Sequence, residues 1–414
     1  MKSKSIGFYF QGILAGILLF LFAAPFYVWE HQTLVYFLRI IYGVILVLNY
    51  KNEKDPLFVW IFLLVFISIA VGNSLISTLI LIVSNVFLIS TNIDFLRITY
   101  KSLYCVFVLF AILSILNYAL FVLGVPMPSR FIDPLNEIKT YNYIAYPFMV
   151  VGNDVVAFFR FEGVFDEPGA LATYCFLFLW AEKFDLYKWS NIVLIVAGGL
   201  TLSLFFFIAT VMVMLIKTFS KGTSMWFRLL SLILIALFAY SMSIDDSIIS
   251  QAIGDRLEYD EEKGFKGNNR STTTLDFYYE QVRWKDASFF WGPTLSGADK
   301  NKVASYLESA AGYKRAILEV GLIGCIIYIL FFFLYANKRI KNKAGFFLFI
   351  LCFIMTLYQR PFFTDVVYIF MFVSIIKLYN YQSEEIEVGK SSKKLRKRKE
   401  QAGTQLIPTA EPIH

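Results

Sequence analysis

Charged residues, histidine and cysteine are scarce in this sequence. Only 17% of its 414 residues are charged, whereas soluble domains average about 25%. This scarcity excludes an ordinary soluble domain. The two histidines, His31 and His414, belong to no Cys/His cluster, so no metal site is expected. The four cysteines lie inside apolar runs, which is typical of packing residues and indicates no disulfide framework.

Most of the remaining residues are apolar. They make up 58% of the chain, including 44 phenylalanines, and form runs that approach the length of a bilayer crossing. The first run lacks a small-residue cleavage site, so we expect a retained helix and not a signal peptide. The expected spans lie near 6–26, 33–50, 57–72, 74–90, 102–124, 169–182, 190–203, 204–217, 226–244, 315–335, 344–358 and 361–378.

The run 190–217 is treated as two short spans with a break around Thr201–Ser203. A single helix would place the later basic clusters outside the membrane, against the positive-inside rule. The sequence therefore predicts an all-α polytopic membrane protein with about twelve transmembrane helices. It has one transmembrane domain at 1–378, extracytoplasmic loops at 125–168 and 245–314, and a basic, disordered cytoplasmic tail at 379–414.

The charges support an orientation with both termini in the cytoplasm. The inside segments carry a net charge of +13, and each outer loop carries −3. The overall net charge of +7 is therefore a topological signal and indicates no nucleic-acid partner. The basic run at 393–399 favours anionic membrane lipid.

Arginine departs from this pattern. Seven of the 13 arginines lie in or beside the outer loops, but only 7 of the 25 lysines do. Arginine is the better bidentate partner for phosphate and carboxylate. As a group these arginines predict an anionic ligand outside, although ordinary salt bridging remains open for each one. The candidates are Arg160, Arg270, Arg283, Arg315 and Arg360.

In the first outer loop, β-branched and aromatic residues flank Gly152-Asn153-Asp154, which predicts a hairpin turning there. At the end of this loop, Pro168 suits the first position of a helix. Glu167 would then be either a residue at the helix start or a catalytic carboxylate. In the second outer loop, Leu275–Trp284 is predicted to be helical.

The string Arg-x-x-Gly-x-Phe-x-x-Pro at 160–168 precedes a membrane helix. An Arg-bearing loop, a Phe-Trp-Gly turn, the pair Glu308-Ser309 and a Gly-Leu-Ile-Gly helix follow in order. Over roughly 160–335 this pattern resembles bacterial O-antigen and capsular-polysaccharide polymerases of the Wzy type, within the O-antigen ligase-like superfamily of C-type glycosyltransferase-like folds.

The resemblance implies an inverting glycosyltransferase in the bacterial inner membrane. It would polymerise undecaprenyl-pyrophosphate-linked repeat units into O-antigen, capsule or exopolysaccharide on the outer face, without metal or cofactor. Both donor and acceptor are lipid-linked, and a chain-length-regulating co-polymerase is an expected partner.

The chemistry requires a group that activates the acceptor hydroxyl and groups that hold the leaving diphosphate. Glu167 is the first candidate base and Glu308 the second, and the five arginines are the candidate diphosphate ligands. Aromatic loop residues could stack on sugars or form an interfacial belt: Tyr141, Tyr143, Tyr278, Tyr279, Trp284 and Trp291.

Three other functions stay open at this point. O-antigen ligases share the architecture but are known for a histidine in the second loop, and this loop has none. A flippase or other transporter would carry ionisable residues along a central path, and apart from Arg39 the spans hold few. A membrane scaffold would need no arginine bias outside.

Overall fold

The computed structural model describes residues 6–51, 56–72, 74–134, 142–152, 160–218, 259–260, 264–265, 273–298, 303 and 312–379. This part of the chain is mostly helical. The helices are α1 Ile6–Phe22, α2 Gln32–Leu48, α3 Leu57–Val71, α4 Leu75–Asn85, α5 Ile93–Val122, α6 Pro168–Ala181, α7 Trp189–Leu200, α8 Leu204–Thr218, α9 Thr273–Val282, α10 Ala287–Trp291, α11 Pro293–Ser296, α12 Tyr313–Val320, α13 Leu322–Arg339, α14 Lys343–Gln359 and α15 Val366–Tyr379. A 3-10 helix at Phe26–His31 precedes α2.

Three helical segments in the described residues are long and apolar enough to cross a membrane. They are Phe26–Leu48, Ile93–Val122 and Leu322–Arg339. Eight further apolar helices of 10–17 residues accompany them. The span expected at 226–244 lies outside the described residues, so the total of twelve passes stays a prediction.

The strands are short and lie outside the helices. β1 (Arg130–Ile132), β2 (Tyr143–Tyr146) and β3 (Met149–Gly152) form one antiparallel sheet. β4 (Tyr259–Asp260) pairs with β5 (Gly264–Phe265). The hairpin between β2 and β3 turns at Pro147 and Phe148. The turn predicted at Gly152-Asn153-Asp154 falls largely outside the described residues, which end at Gly152 in this part of the chain, so it stays a prediction.

The expected break between α7 and α8 is confirmed. α7 ends at Leu200 and α8 begins at Leu204. The helix over Leu275–Trp284 is also confirmed and runs from Thr273 to Val282.

The prediction of one unbroken span at 315–335 was wrong. Gly321 adopts φ +81° between α12 and α13. A Cβ atom there would lie 2.5 Å from the backbone nitrogen of Gly292. The turn after α10 thus packs directly against the break. Hydropathy does not register such a backbone contact.

Two other boundaries differ from expectation. α5 begins at Ile93, nine residues before the apolar run, because Asn92 accepts a hydrogen bond from the Asp94 backbone N–H and so starts the helix early. α15 begins only at Val366, after an irregular segment at 360–365.

Helices α6 and α15 form the centre of the bundle. From Ala170 to Ala181 every residue of α6 is buried, and α15 is buried from Val366 to Leu378. The two helices meet through Tyr174 and Tyr368, whose ring centroids are 5.5 Å apart.

The segments that connect the helices lie at two ends of the bundle and are hydrogen-bonded to one another there. At the first end, Phe26 N–H donates to Val164 O (2.8 Å) and Phe161 N–H donates to Leu200 O (3.4 Å). We call this the Glu167 end.

At the opposite end, Asn92 N–H donates to Asn49 O (3.1 Å). There the Nζ of Lys377 donates to the carbonyls of Ile89 and Thr91, each at 2.8 Å. Among the described residues, the segments after α1, before α6 and after α7 thus meet at the Glu167 end, and those after α2 and α4 meet at the opposite end.

Candidate functional site

The segment that leads into α6 is held by its backbone. Val150 N–H donates to Gly163 O at 2.8 Å, and the hydroxyl of Tyr143 donates to Asp166 O at 2.5 Å. Gly163 has φ +60°, a left-handed conformation that glycine adopts readily. These contacts fix the backbone just before Glu167, at the end of the loop.

Helix α6 begins as predicted, with Pro168 in its first turn. Glu167 is the preceding residue, but its side chain makes no capping hydrogen bond. Instead, one Glu167 carboxylate oxygen accepts a hydrogen bond from the Arg360 guanidinium in an ion pair. The Glu167 side chain therefore binds another part of the chain and does not cap its own helix.

Arg360 follows directly after α14 and is 193 residues away from Glu167 in sequence. Its side chain is 11% exposed, against 44% for Glu167. Burial alone would lower the pKa of Arg360, but the nearby carboxylates of Glu167 and Asp166 raise it by more, so the net shift is upward. Arg360 is therefore a permanent cation. Its Nε atom is buried and has no hydrogen-bond partner among the described residues.

Asp365 ends the same irregular segment. Its Oδ1 accepts hydrogen bonds from the backbone N–H groups of Val367 (2.8 Å) and Tyr368 (3.0 Å), which starts α15. Burial raises the pKa of the Asp365 carboxyl, while these hydrogen bonds and the charge of Arg39 oppose the shift. Asp365 thus lies within electrostatic reach of Arg39 on α2.

At the Glu167 end, Glu167 and Arg360 pair directly, Asp365 follows Arg360 by five residues, and the charge of Arg39 lowers the pKa of the Asp365 carboxyl against the effect of burial. The buried hydroxyl of Tyr328, also within electrostatic reach of Asp365, has no hydrogen-bond partner among the described residues. Two cations with unused donors beside two carboxylates form a site that can bind an anion and accept a proton.

Of the predicted site residues, the structure pairs Glu167 with Arg360. The guanidinium of Arg160 instead donates to the carbonyls of Thr201 (3.1 Å) and Leu202 (3.2 Å). It therefore stabilises the turn between α7 and α8.

The two remaining described arginines make local ion pairs. Arg283 pairs with Glu280 at 3.3 Å, and Arg315 pairs with Glu319 at 2.7 Å. Both pairs are solvent-accessible, and such pairs contribute little stability. Arg270 and Glu308 lie outside the described residues.

The aromatic residues expected to stack on sugars have different environments. Tyr143 and Tyr279 are core residues, with exposures of 0% and 5%. Tyr278 packs against the same small core as Tyr279. Trp284 and Trp291 are exposed, and Tyr141 lies outside the described residues.

A different aromatic pair joins α12 to the end of α14. Tyr313 and Tyr358 stack with their planes 16° apart and their ring centroids separated by 5.6 Å. Tyr358 is 64% exposed and Tyr313 is 42% exposed. Tyr358 precedes Arg360 by two residues at the end of α14.

Sequence reasoning missed Arg39 and Asp365 as site residues. Their opposite charges fell among residues that cancel in the net charge, and neither residue belongs to the sequence strings that carry the resemblance. The available signal was a single charge within an apolar run, which is rare unless it serves a site.

Comparison with protein-family models, with curated proteins and with solved structures finds no match for this chain. Among the described residues, no group of three or more His, Cys, Asp or Glu side chains could hold a metal ion.

Proposed function

We propose that this protein is a membrane glycosyltransferase that polymerises oligosaccharide repeat units carried on a polyprenyl diphosphate. The observation that carries the proposal is the Glu167–Arg360 ion pair. It brings a candidate base and a candidate diphosphate ligand together from distant parts of the sequence. The unused donor on Arg360 supports the same function.

In the proposed reaction, a hydroxyl of the acceptor sugar attacks the anomeric carbon of the donor. The bond between that carbon and the diphosphate oxygen breaks, and its electron pair leaves with the diphosphate. Glu167 accepts the hydroxyl proton, and the configuration at the anomeric carbon inverts. Arg360 stabilises the charge that grows on the leaving group.

The ion pair couples these two roles. In the unliganded state Arg360 satisfies Glu167 and weakens it as a proton acceptor. A bound diphosphate competes for the guanidinium, since phosphate oxygens match its fork of donors. Glu167 is then released toward the acceptor hydroxyl. Catalytic competence would therefore follow donor binding.

The Glu167 end is proposed to face outward from the bacterial inner membrane, with both termini cytoplasmic. The inside excess of +13 supports this orientation. The exposed faces of Tyr313 and Tyr358 suit the apolar C–H face of a sugar ring, because aromatic faces carry negative potential. Ligase-like transfer and lipid flipping are the competing functions.

A ladder assay separates these functions. Purified protein is given a defined polyprenyl-diphosphate oligosaccharide, and products are resolved by size. A polymerase makes a ladder of repeats, a ligase-like enzyme makes single transfers to another acceptor, and a flippase makes no new glycosidic bond. No ladder with a competent substrate would refute the proposal.

Variants assign the roles within that assay. Glu167→Gln should lower turnover by about 10²- to 10⁴-fold while donor binding persists. Arg360→Lys keeps the charge but loses the fork, so polymerisation should fall. Glu30→Gln, on an exposed carboxylate of the 3-10 helix before α2, is the matched control and should keep full activity. Glu308→Gln tests the second candidate base.

The other arginines divide into two expectations. Arg160→Ala should reduce activity through the α7–α8 turn that it supports. Arg270 and Arg283 remain candidate diphosphate ligands. Full activity in Arg160→Ala, Arg270→Ala and Arg283→Ala together would limit diphosphate binding to the Glu167 end.

A further inference from the structure

Arg39 lies well inside α2. It follows Gln32 by seven residues, which corresponds to about 10 Å along a helix. Val35 and Tyr42 on the same helix are buried, whereas Tyr36 and Ile40 are exposed. Arg39 itself is half-buried. It therefore occupies the boundary between the core of the bundle and its apolar outer surface.

The guanidinium of Arg39 rests between two aromatic rings. It lies 5.7 Å from the ring centroid of Phe22 and 5.8 Å from that of Tyr36. These cation–π contacts leave its N–H donors unused. Its Nε is buried and has no hydrogen-bond partner among the described residues. A charge in such surroundings is costly unless an anion completes its environment.

The carboxylate of Asp365 compensates the charge of Arg39 only in part. The oxygen that caps α15 already accepts two backbone hydrogen bonds. Arg39 is therefore balanced at a distance but not hydrogen-bonded. Asp365 lies five residues after Arg360 in the segment that joins α14 to α15.

We propose that Arg39 binds the diphosphate of a polyprenyl-diphosphate lipid that enters the site from the bilayer along α2. The proposal rests on the proposed function and adds a ligand-binding residue and a route to it. The diphosphate would meet Arg39 first, then Arg360.

The surface of α2 fits such a ligand. Tyr36, Ile40 and Val47 are exposed on the side of α2 nearest Arg39, within about 100° of it around the helix. They offer an apolar track for a polyprenyl chain while its charged head reaches Arg39. A water-soluble anion gains nothing from that track. The lipid-borne diphosphate is therefore the source that these residues favour over free diphosphate.

Binding to the purified full-length chain tests the inference. The protein is placed in nanodiscs of phosphatidylcholine, and binding of undecaprenyl diphosphate is measured for wild type and variants. Arg39→Gln should weaken binding by about 10- to 100-fold, as expected for hydrogen bonds to charged groups. Arg39→Lys should weaken it less. Arg339→Gln, on an arginine that contacts Tyr335 near the C-terminal end of α13, is the control and should bind normally.

Each result has one meaning. Wild-type affinity in Arg39→Gln overturns the inference but leaves the proposed function intact. No binding by wild type overturns both. If Arg39→Gln fails to fold, Arg39→Lys decides: affinity equal to wild type in a protein of unchanged thermal stability also overturns the inference.

Competition identifies the source of the ligand. Inorganic diphosphate should compete only weakly, and phosphatidylglycerol in the nanodisc should not compete. Equal competition by inorganic diphosphate overturns entry from the bilayer. Equal competition by phosphatidylglycerol overturns selectivity for the diphosphate.

Discussion

The two members of the Glu167–Arg360 pair should respond differently to mutation. Arg360 is 11% exposed and Glu167 is 44% exposed. Glu167→Gln leaves a largely buried cation without its main counter-charge, and removing one partner of a buried pair is costly. Arg360→Met removes that cation, fills the same space with apolar atoms, and leaves a carboxylate that water can reach.

The expected magnitudes follow from these exposures. Glu167→Gln should lower the free energy of unfolding by about 1–3 kcal/mol, since Gln keeps an acceptor but loses the charge. Arg360→Met should change it by less than about 1 kcal/mol. The double variant should be more stable than Glu167→Gln alone, because the second change removes the uncompensated cation.

Unfolding of the detergent-solubilised protein by a denaturing detergent measures all three variants and their coupling. Rescue by the second mutation is the decisive sign. Strictly additive losses, or a larger loss for Arg360→Met than for Glu167→Gln, would refute the reasoning. The ladder assay on the same samples should find every variant impaired. The double variant would then combine stability with inactivity, which assigns the pair to function.

Three further outcomes are expected. Cysteines placed at Ser296 and Ser391 should label from opposite sides of intact cells, and labelling from one side would contradict the orientation. Gly321→Ala should destabilise the protein by more than about 3 kcal/mol, because the new Cβ would lie 2.5 Å from backbone atoms. Gly199→Ala is the control in thermal unfolding, because a Cβ there meets no atom within 4 Å. Asp365→Asn should keep the helix start but flatten the pH dependence of thermal stability. The folded pKa of Asp365 is raised, so its stability contribution is present at low pH and lost as pH rises through that pKa; an unchanged pH profile would contradict this.

Much of the helical architecture was readable from hydropathy and turn chemistry. Apolar runs located the helices, and Pro168 marked the start of α6. The break after Leu200 followed from the distribution of charge alone, since an unbroken helix would invert every later loop. These features depend on neighbouring residues or on the net charge of successive segments.

What escaped prediction depends on contacts between distant segments. The kink at Gly321 exists because the turn at Gly292 packs against it. The hairpin turns at Pro147 and is held there partly by the hydroxyl of Tyr27, which donates to the Pro147 carbonyl at 2.7 Å. The sequence of one segment does not indicate which distant segment packs against it.

The candidate site shows the same division. Arginine bias and the helix start indicated Arg360 and Glu167 separately. Their pairing required the fold, as did the proximity of Arg39 to Asp365. Sequence can nominate charged residues at a membrane surface, but it cannot say which of them share an environment.

The central position of α15 has a consequence for biogenesis. It follows the other described helices in sequence, yet it is buried along nearly its whole length between them. Until its insertion, the carbonyls of Ile89 and Thr91 lack Lys377, and Glu167 lacks the arginine that precedes α15. A chain that ends before this segment therefore lacks contacts at both ends of the bundle, including the Glu167–Arg360 pair of the candidate site.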